Sequence, residues 1–317
     1  MGKEKSVLFG IDDSDFARQA LLELGGLLKN SENLKMTIFH GTSEPDFSIF
    51  SESIGQDPDA VEKHRERWDL EAQKVLEKAK KSLIESGFDP GVTATIFEKK
   101  CSAPSDTMLR LAGHEGIETL AVARWGKTTV SRQVIGSVTY RLSQLADDLA
   151  LWVIDPRICS HNVLVGLVGA PISQRVVDYT VRYFSHLKES RFTFIHVIPP
   201  IPPQYWESEG IADIEGHEKQ EKIVLWLKEY TERVKEVAND AKKKLIEAGV
   251  PEQNVVFKLE PQKKGIARDI VVELEEGNHG ILVLGRKGYK DIKEFGLGSK
   301  ANKLLINGRA FIVCLVN

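Results

Sequence analysis

The sequence predicts two tandem α/β domains, each a doubly wound, five-stranded parallel sheet with helices on both faces. Three observations predict this fold class. A single pattern of alternating strands and helices occurs twice in the chain. The strands are apolar on both faces, as in parallel sheets covered on both sides. The length of 317 residues also suffices for two ordinary domains. We predict that the domains span residues 1–157 and 160–317.

The internal repeat extends over almost the whole chain. Positions in the first half of copy one recur 156 residues later, and positions in its second half recur 162 residues later. The second copy therefore carries one net insertion of six residues, near residues 199–203. The repeat is far longer than a solenoid unit, and each copy is therefore a whole domain. The matching positions are Gly10 with Gly166, His40 with His196, Glu85 with Glu247, Gly126 with Gly288, and Gly136 with Gly298.

Each predicted element has its own signal, and the elements follow in the same order in both copies. Short apolar runs predict strands at 6–11, 36–40, 92–97, 119–123 and 149–154, and at 163–166, 192–197, 255–259, 281–284 and 310–316. Apolar residues at helical spacing predict a first helix near 16–28 in copy one and near 176–184 in copy two. Long charged helices are predicted at 68–86 and 223–248, and Gly87 and Gly249 follow them as C-terminal caps. Shorter helices are predicted at 106–112 and 267–275, and a last helix precedes each fifth strand.

Composition excludes several classes of function. The chain has 43 Lys and Arg against 46 Asp and Glu, so it lacks the positive field that nucleic acids or anionic membranes require. No apolar run is long enough to span a bilayer, and the first residues lack the apolar segment of a signal peptide. The three cysteines, Cys101, Cys159 and Cys314, form no C-x-x-C motif. We therefore expect a cytoplasmic protein with no nucleic-acid or membrane partner.

A glycine loop follows each fourth strand, at the sheet edge where doubly wound domains bind ligands. In copy two Gly285 and Gly288 are followed, after nine residues, by Gly298 and Ser299. Glycines allow close backbone approach, and a helix that begins at the last glycine offers N–H donors to a phosphate. The alternative is that these glycines serve only turns and packing. The complete spacing favours phosphate binding in copy two, and both interpretations stay open in copy one.

This repeated loop, together with the acidic turn after the first strand, resembles the universal stress protein family over nearly the whole chain. The resemblance implies Rossmann-like, nucleotide-binding domains. In ATP-binding members the aspartate after strand one contacts the nucleoside, a residue ending strand two lines the adenine pocket, and the glycine loop holds the phosphates. In copy one the implied nucleotide-binding residues are Asp12, Gly41, Gly126, Gly136, Ser137 and Val138. In copy two they are Val197, Gly285, Arg286, Gly288, Gly298, Ser299 and Lys300.

Each copy departs from the family pattern at one end of the site. Copy one has Ala123 in place of the first loop glycine and the bulky Trp125 near it, whereas copy two has Val168 in place of Asp12. The complete glycine spacing of copy two predicts that it has the stronger phosphate site. Ala123 and Trp125 predict weaker binding in copy one, unless Asp12 compensates through the ribose, and the chain should then bind nearer one nucleotide than two. Asp12 is also a candidate Mg²⁺ ligand, although the acidic turn has a second use, N-capping of the next helix by Asp13 or Ser14.

No catalytic set emerges from the sequence, and we predict no catalytic residue. His40 and His196 end equivalent strands and are expected to be packed and hydrogen-bonded. The expected function is that of a stress-response protein that binds ATP or a related adenine nucleotide as a sensor or switch. The alternatives are a slow ATPase or nucleotidyl-transfer enzyme, and a protein-interaction scaffold with decayed sites. The resemblance also implies an intrachain pseudo-dimer of the two domains, with a homodimer as a further possibility.

Overall fold

The structure is a computed structural model that describes residues 4–42, 58–99, 101–127, 135–158, 160–168, 171–198, 216–287, 297–308 and 310–317. The chain divides into two compact units, Met1–Pro156 and Arg157–Asn317, which we call domain 1 and domain 2. Among the described residues, no helix combines the length and the apolar character needed to cross a membrane.

Domain 1 is a five-stranded parallel sheet in the order β3-β2-β1-β4-β5. The chain winds in one direction from β1 to β3 and in the other from β4 to β5, so the direction switches between β1 and β4. The elements are β1 (Lys5–Gly10), α1 (Asp15–Leu28), β2 (Leu34–Gly41), α2 (Pro58–Glu85), a 3₁₀ turn (Pro90–Val92), β3 (Thr93–Glu98), α3 (Pro104–Glu115), β4 (Thr119–Ala123), α4 (Ser137–Leu145) and β5 (Ala150–Ile154).

Domain 2 repeats this arrangement, with the parallel strand order β8-β7-β6-β9-β10. Both domains therefore have the predicted doubly wound α/β fold. The elements are β6 (Val163–Gly166), α5 (Ile172–Phe184), β7 (Phe192–Ile198), α6 (Gly216–Glu247), a 3₁₀ turn (Glu252–Asn254), β8 (Val255–Pro261), α7 (Ile266–Glu276), β9 (Ile281–Gly285), α8 (Ser299–Asn307) and β10 (Ile312–Val316).

The central strands form the core of each domain. Every residue of β4, β5 and β10 is buried, because helices cover both faces of a doubly wound sheet. Trp152 on β5 is the largest of the fully buried side chains. Burial of each large apolar side chain contributes about 1.5–3 kcal/mol to folding.

The predicted glycine caps close the long helices. Gly87 has φ +94° and Gly249 has φ +88°, a backbone region that glycine adopts without strain. After α2 the N–H of Phe88 donates to the carbonyl of Leu83, and the N–H of Gly87 donates to that of Ile84. This pair of hydrogen bonds is the Schellman arrangement, and it satisfies carbonyls that the helix end leaves without partners. After α6 the same pair joins Val250 to Leu245 and Gly249 to Ile246.

Both long helices begin earlier than predicted. Helix α2 starts at Pro58 instead of residue 68, and α6 starts at Gly216 instead of residue 223. Residues 62–67 of α2 are all exposed, so no buried apolar face marks that turn, and residues 216–222 of α6 include no apolar side chain that could give a periodic signal. Amphipathic periodicity detects the part of a helix that packs on the sheet, and it misses the charged turns that extend beyond it.

Candidate functional site

A pocket of about 120 Å³ lies at the carboxyl ends of the central strands of domain 1. It is placed at the switch between β1 and β4, where doubly wound sheets bind ligands. Its lining includes all six residues proposed for nucleotide binding in this domain, namely Asp12, Gly41, Gly126, Gly136, Ser137 and Val138. Positions that are far apart in the sequence therefore meet in one cavity.

The rest of the pocket wall is mainly apolar, and apart from Ala123 and Trp125 the sequence did not indicate these residues as part of a site. Such a wall with a few polar groups is typical of small-molecule sites. The signal that could have found it is strand register, because the ends of β1, β2 and β4 must meet at one sheet edge. The additional lining residues include Ile11, Ala17, Phe39, Pro104, Met108, Val122, Trp125 and Thr139.

The carboxylate of Asp12 links the end of β1 to the glycine loop. The main-chain N–H of Lys127 donates to Asp12 Oδ2 at 2.6 Å, and the N–H of Ser14 donates to Oδ1 at 3.1 Å. A side chain at Gly126 would collide with this carboxylate, so Asp12 keeps its present position only with glycine there.

The acidic turn also begins helix α1. The hydroxyl of Ser14 donates to Asp12 Oδ1 and accepts a hydrogen bond from the N–H of Ala17 at 3.1 Å. Of the two N-caps predicted from the sequence, Ser14 is the one that caps α1. Asp13 is exposed and lies 3.5 Å from Arg18.

Gly41 lies in the tightest part of the pocket wall. A Cβ atom there would come within 2.6 Å of Cys101 Sγ and 2.7 Å of Phe39 Cζ, so only glycine fits without a shift. Cys101 is 1% exposed, and burial raises the pKa of its thiol. The Cys101 side chain is therefore a neutral packing group behind Gly41.

Two hydrogen bonds close the glycine loop of domain 1. The N–H of Gly136 donates to the carbonyl of Arg124 at 3.0 Å, and the buried hydroxyl of Thr139 donates to that of Ala123 at 2.9 Å. Helix α4 then begins at Ser137, and among the described residues no side chain caps its first turn. A first turn of this kind presents main-chain N–H groups and a partial positive charge, which suit an anion.

The glycine loop of domain 2 is closed by the equivalent main-chain hydrogen bond. The N–H of Gly298 donates to the carbonyl of Arg286 at 3.0 Å, and α8 begins at Ser299 without a side-chain cap among the described residues. Arg286 is fully buried, whereas Ser299 and Lys300 are exposed. Val197 is 5% exposed near the end of β7. Gly288 lies outside the described residues.

The nucleoside end of domain 2 differs from that of domain 1. A Cβ at Gly285 would lie 2.6 Å from Ile172 Cγ1, so the first glycine of the loop is already covered by α5. The N–H of Val168 donates to Ser173 Oγ at 2.8 Å, and the Ser173 hydroxyl donates to the Val168 carbonyl. Ser173 takes the repeat position of Ala17, which lines the pocket in domain 1. Ile172 and Ser173 were not predicted from the sequence, although the 156-residue offset aligns them with this edge.

The histidines that end equivalent strands are buried and hydrogen-bonded, as predicted. His40 is 6% exposed and His196 is 2% exposed. Nδ1–H of His40 donates to the carbonyl of Ile11 at 2.7 Å, and Nδ1–H of His196 donates to that of Leu167 at 2.8 Å. Burial lowers the pKa of His196, and the bond to Leu167 opposes this effect.

Two other arrangements have catalytic or metal-binding residue types. Thr193 Oγ1 lies 2.9 Å from His279 Nε2, but these residues are only 1% and 5% exposed, so a substrate does not reach them. In the described part of the chain, no three His, Cys, Asp or Glu side chains form a group that could hold a metal ion. The role of Asp12 as a Mg²⁺ ligand stays a prediction.

These observations define a tandem doubly wound α/β protein with a glycine loop at the ligand-binding edge of each sheet. The family model described as the universal stress protein family matches residues 4–147 and 160–308. The chain therefore belongs to the universal stress protein family, in a tandem form with two domains.

Solved structures agree with this assignment at the level of the fold. The chain is similar to a universal stress protein from Archaeoglobus fulgidus DSM 4304, with 14% identity, a TM-score of 0.62 and 98% of each chain covered. It is also similar to a putative universal stress protein from Pseudomonas aeruginosa UCBPP-PA14, with 13% identity, a TM-score of 0.58, and 99% of this chain and 93% of the other covered. A search of curated proteins finds no match.

Proposed function

We propose that domain 1 binds ATP or a related adenine nucleotide, and that the bound nucleotide acts as a switch in a stress response. The observation that carries the proposal is one pocket whose lining includes all six residues that the family resemblance implies for this domain. Its position at the switch between β1 and β4 supports the same conclusion.

The residues present fit the parts of a nucleotide. The apolar wall formed by Ile11, Phe39 and Met108 suits a base, and the Asp12 carboxylate suits a ribose hydroxyl. The first turn of α4, at Ser137 and Val138, suits phosphate oxygens. The pocket of about 120 Å³ is smaller than the roughly 300–1,000 Å³ of most small-molecule sites, so part of the ligand would extend along the glycine loop.

Domain 2 is the second candidate, and the sequence favoured it for phosphate binding. The exposed Lys300 at the start of α8 supports an anion there. Ile172 over Gly285 and the absence of a carboxylate at Val168 oppose a bound nucleoside. We therefore propose domain 1 as the principal nucleotide site, which reverses the order that glycine spacing alone predicts.

The residues of the pocket suit a protein that binds a nucleotide as a switch better than they suit an enzyme that hydrolyses it. Phosphoryl transfer requires a group that positions the nucleophile, metal ligands and stabilisation of charge, all in one place. Asp12 is the only acidic side chain among the residues described as lining the pocket, and it is hydrogen-bonded to the glycine loop. Hydrolysis should therefore be far slower than the roughly 1–10³ s⁻¹ of dedicated enzymes.

The test measures ATP binding, melting temperature and phosphate release on one sample of the full chain. The expected result is saturable binding, with a stabilisation of about 2.7 kcal/mol at a hundredfold excess over Kd and negligible release. Asp12→Asn should weaken binding, while Asp13→Asn, a neighbouring exposed carboxylate outside the pocket lining, is the matched control. Turnover of several per second would indicate an enzyme instead. No saturable binding would indicate a scaffold whose sites have decayed.

A further inference from the structure

The side chain of His40 extends the hydrogen bonding between β1 and β2 by one residue. The last paired residues of these strands are Gly10 and Phe39. Beyond them the N–H of Ile11 donates to the carbonyl of Phe39 at 2.9 Å, and Nδ1–H of His40 donates to the carbonyl of Ile11 at 2.7 Å. Both main-chain polar groups of Ile11 are therefore fixed, one of them by a side chain.

The same pair of bonds occurs in domain 2, which acts as an internal replicate. The N–H of Leu167 donates to the carbonyl of Ile195 at 2.8 Å, and Nδ1–H of His196 donates to the carbonyl of Leu167 at 2.8 Å. Because a carbonyl oxygen only accepts, Nδ1 carries the proton in both histidines. The repetition shows a defined structural role for this side chain at the end of the strand.

In domain 1 this bond acts on the residue next to the pocket carboxylate. Ile11 precedes Asp12, and both line the pocket. Fixing the Ile11 carbonyl fixes the plane of the peptide that joins the two residues, because that peptide is planar. The direction of the Asp12 side chain, which accepts the N–H of Lys127, is thereby restricted. The ring of His40 is itself held by Phe97, stacked at 6.2 Å between centroids with an interplanar angle of 13°.

We propose that His40 is a positioning residue that holds the Asp12 carboxylate in place to meet the glycine loop and, through it, the nucleotide. The link to the nucleotide rests on the proposed function, whereas the link to Asp12 and Lys127 does not. His196 is the matched control, because its bond fixes a turn that carries Val168 and no carboxylate.

The experiment compares His40→Leu, His40→Asn and His196→Leu in the full chain. Leucine removes the donor, whereas the Asn side-chain amide retains one near the position of Nδ1. Without ligand, hydrogen exchange at the Lys127 amide should be several-fold faster in His40→Leu than in the wild type. His40→Asn should restore most of the protection, and His196→Leu should leave Lys127 unchanged. Urea unfolding of each variant separates this local effect from a global loss of stability.

ATP affinity provides the second measurement. His40→Leu should weaken binding by about tenfold, which corresponds to about 1.4 kcal/mol. In an Asp12→Asn background the same change should have little further effect, because His40 acts through Asp12. Additive losses, or unchanged Lys127 exchange in His40→Leu, would overturn the proposal. A wild-type chain that binds no ATP would instead overturn the nucleotide site, and the exchange measurement would still decide whether His40 positions Asp12.

Discussion

The main-chain N–H of Lys127 donates to the Asp12 carboxylate at 2.6 Å, which joins two segments 115 residues apart in sequence. This hydrogen bond connects the turn after β1 to the loop after β4, across the point where the sheet changes its winding direction. A carboxylate that accepts a main-chain N–H in this way also fixes the loop before any ligand arrives.

The first prediction concerns Gly126, whose Cα lies against the Asp12 carboxylate. Gly126→Ala should displace Asp12 from the Lys127 N–H, because the added Cβ collides with the carboxylate. We expect ATP affinity to fall by at least about tenfold, or 1.4 kcal/mol, by isothermal titration calorimetry. Gly113→Ala is the control, since a Cβ at that exposed helix position meets nothing within 4 Å. Equal affinities for the two variants would contradict a role for the loop in binding.

The second prediction decides which glycine loop is the principal site. Gly136→Val and Gly298→Val add the same β-branched side chain at the equivalent N-caps of α4 and α8, beside the main-chain N–H groups proposed to face the phosphates. We expect Gly136→Val to weaken ATP binding by at least about tenfold and Gly298→Val to have a smaller effect. The reverse order in calorimetry would restore the sequence-based preference for domain 2. Equilibrium dialysis should give a stoichiometry nearer one nucleotide per chain than two.

The third prediction concerns the buried hydroxyl of Thr139, which donates to the carbonyl of Ala123. Thr139→Val leaves this buried acceptor without its donor and should cost about 1–3 kcal/mol in the free energy of unfolding. Thr139→Ser retains the hydroxyl and should lose less. Urea denaturation of both variants measures the difference. Equal stabilities would mean that the hydroxyl stabilises the fold by packing alone and that its hydrogen bond contributes nothing.

The sequence predicted the fold, and it brought together residues that line the domain 1 pocket, better than it predicted the differences between the domains. The apolar strands and the glycine caps at Gly87 and Gly249 are local patterns, and the structure contains both. The repeated loop is also a local pattern, and its described ends are closed by the same hydrogen bond in each domain. The first turns of α2 were missed because exposed residues such as 62–67 carry no periodic signal. The start of α6 was missed because residues 216–222 include no apolar side chain. Ile172 was missed because its contact with Gly285 depends on how α5 packs over β9, a relation between segments that sequence spacing does not report.

The fourth prediction concerns the pH dependence of stability in domain 2. Burial lowers the pKa of His279, and this is the largest effect. The hydrogen bond from His279 Nδ1 to the main-chain carbonyl of Glu273 and the negative charge of the Glu273 side chain raise the pKa. The positive charges of Arg191 and Lys258 lower it. The unfolded chain therefore binds a proton at higher pH than the folded one. Stability should fall as the pH drops below about 6.5, the ordinary histidine pKa.

His279→Gln removes this titration, so its unfolding free energy should depend less on pH between 8 and 5 than that of the wild type. The exposed His114→Gln is the control, and it should retain the slope of the wild type. Denaturation curves at a series of pH values measure the slope. A wild-type slope in His279→Gln would show that other groups cause the acid sensitivity.

The bonds from Gly136 to Arg124 and from Gly298 to Arg286 bring the two ends of each glycine loop together in the same way. Eleven residues lie between the bonded residues in each domain, at 125–135 and 287–297, so the two stretches have equal length and matching anchor points. Because both anchor bonds are made by main-chain groups, they do not depend on which side chains the stretch carries. An exchange of the two stretches is therefore expected to move loop chemistry from one domain to the other while each pair of anchor bonds is kept.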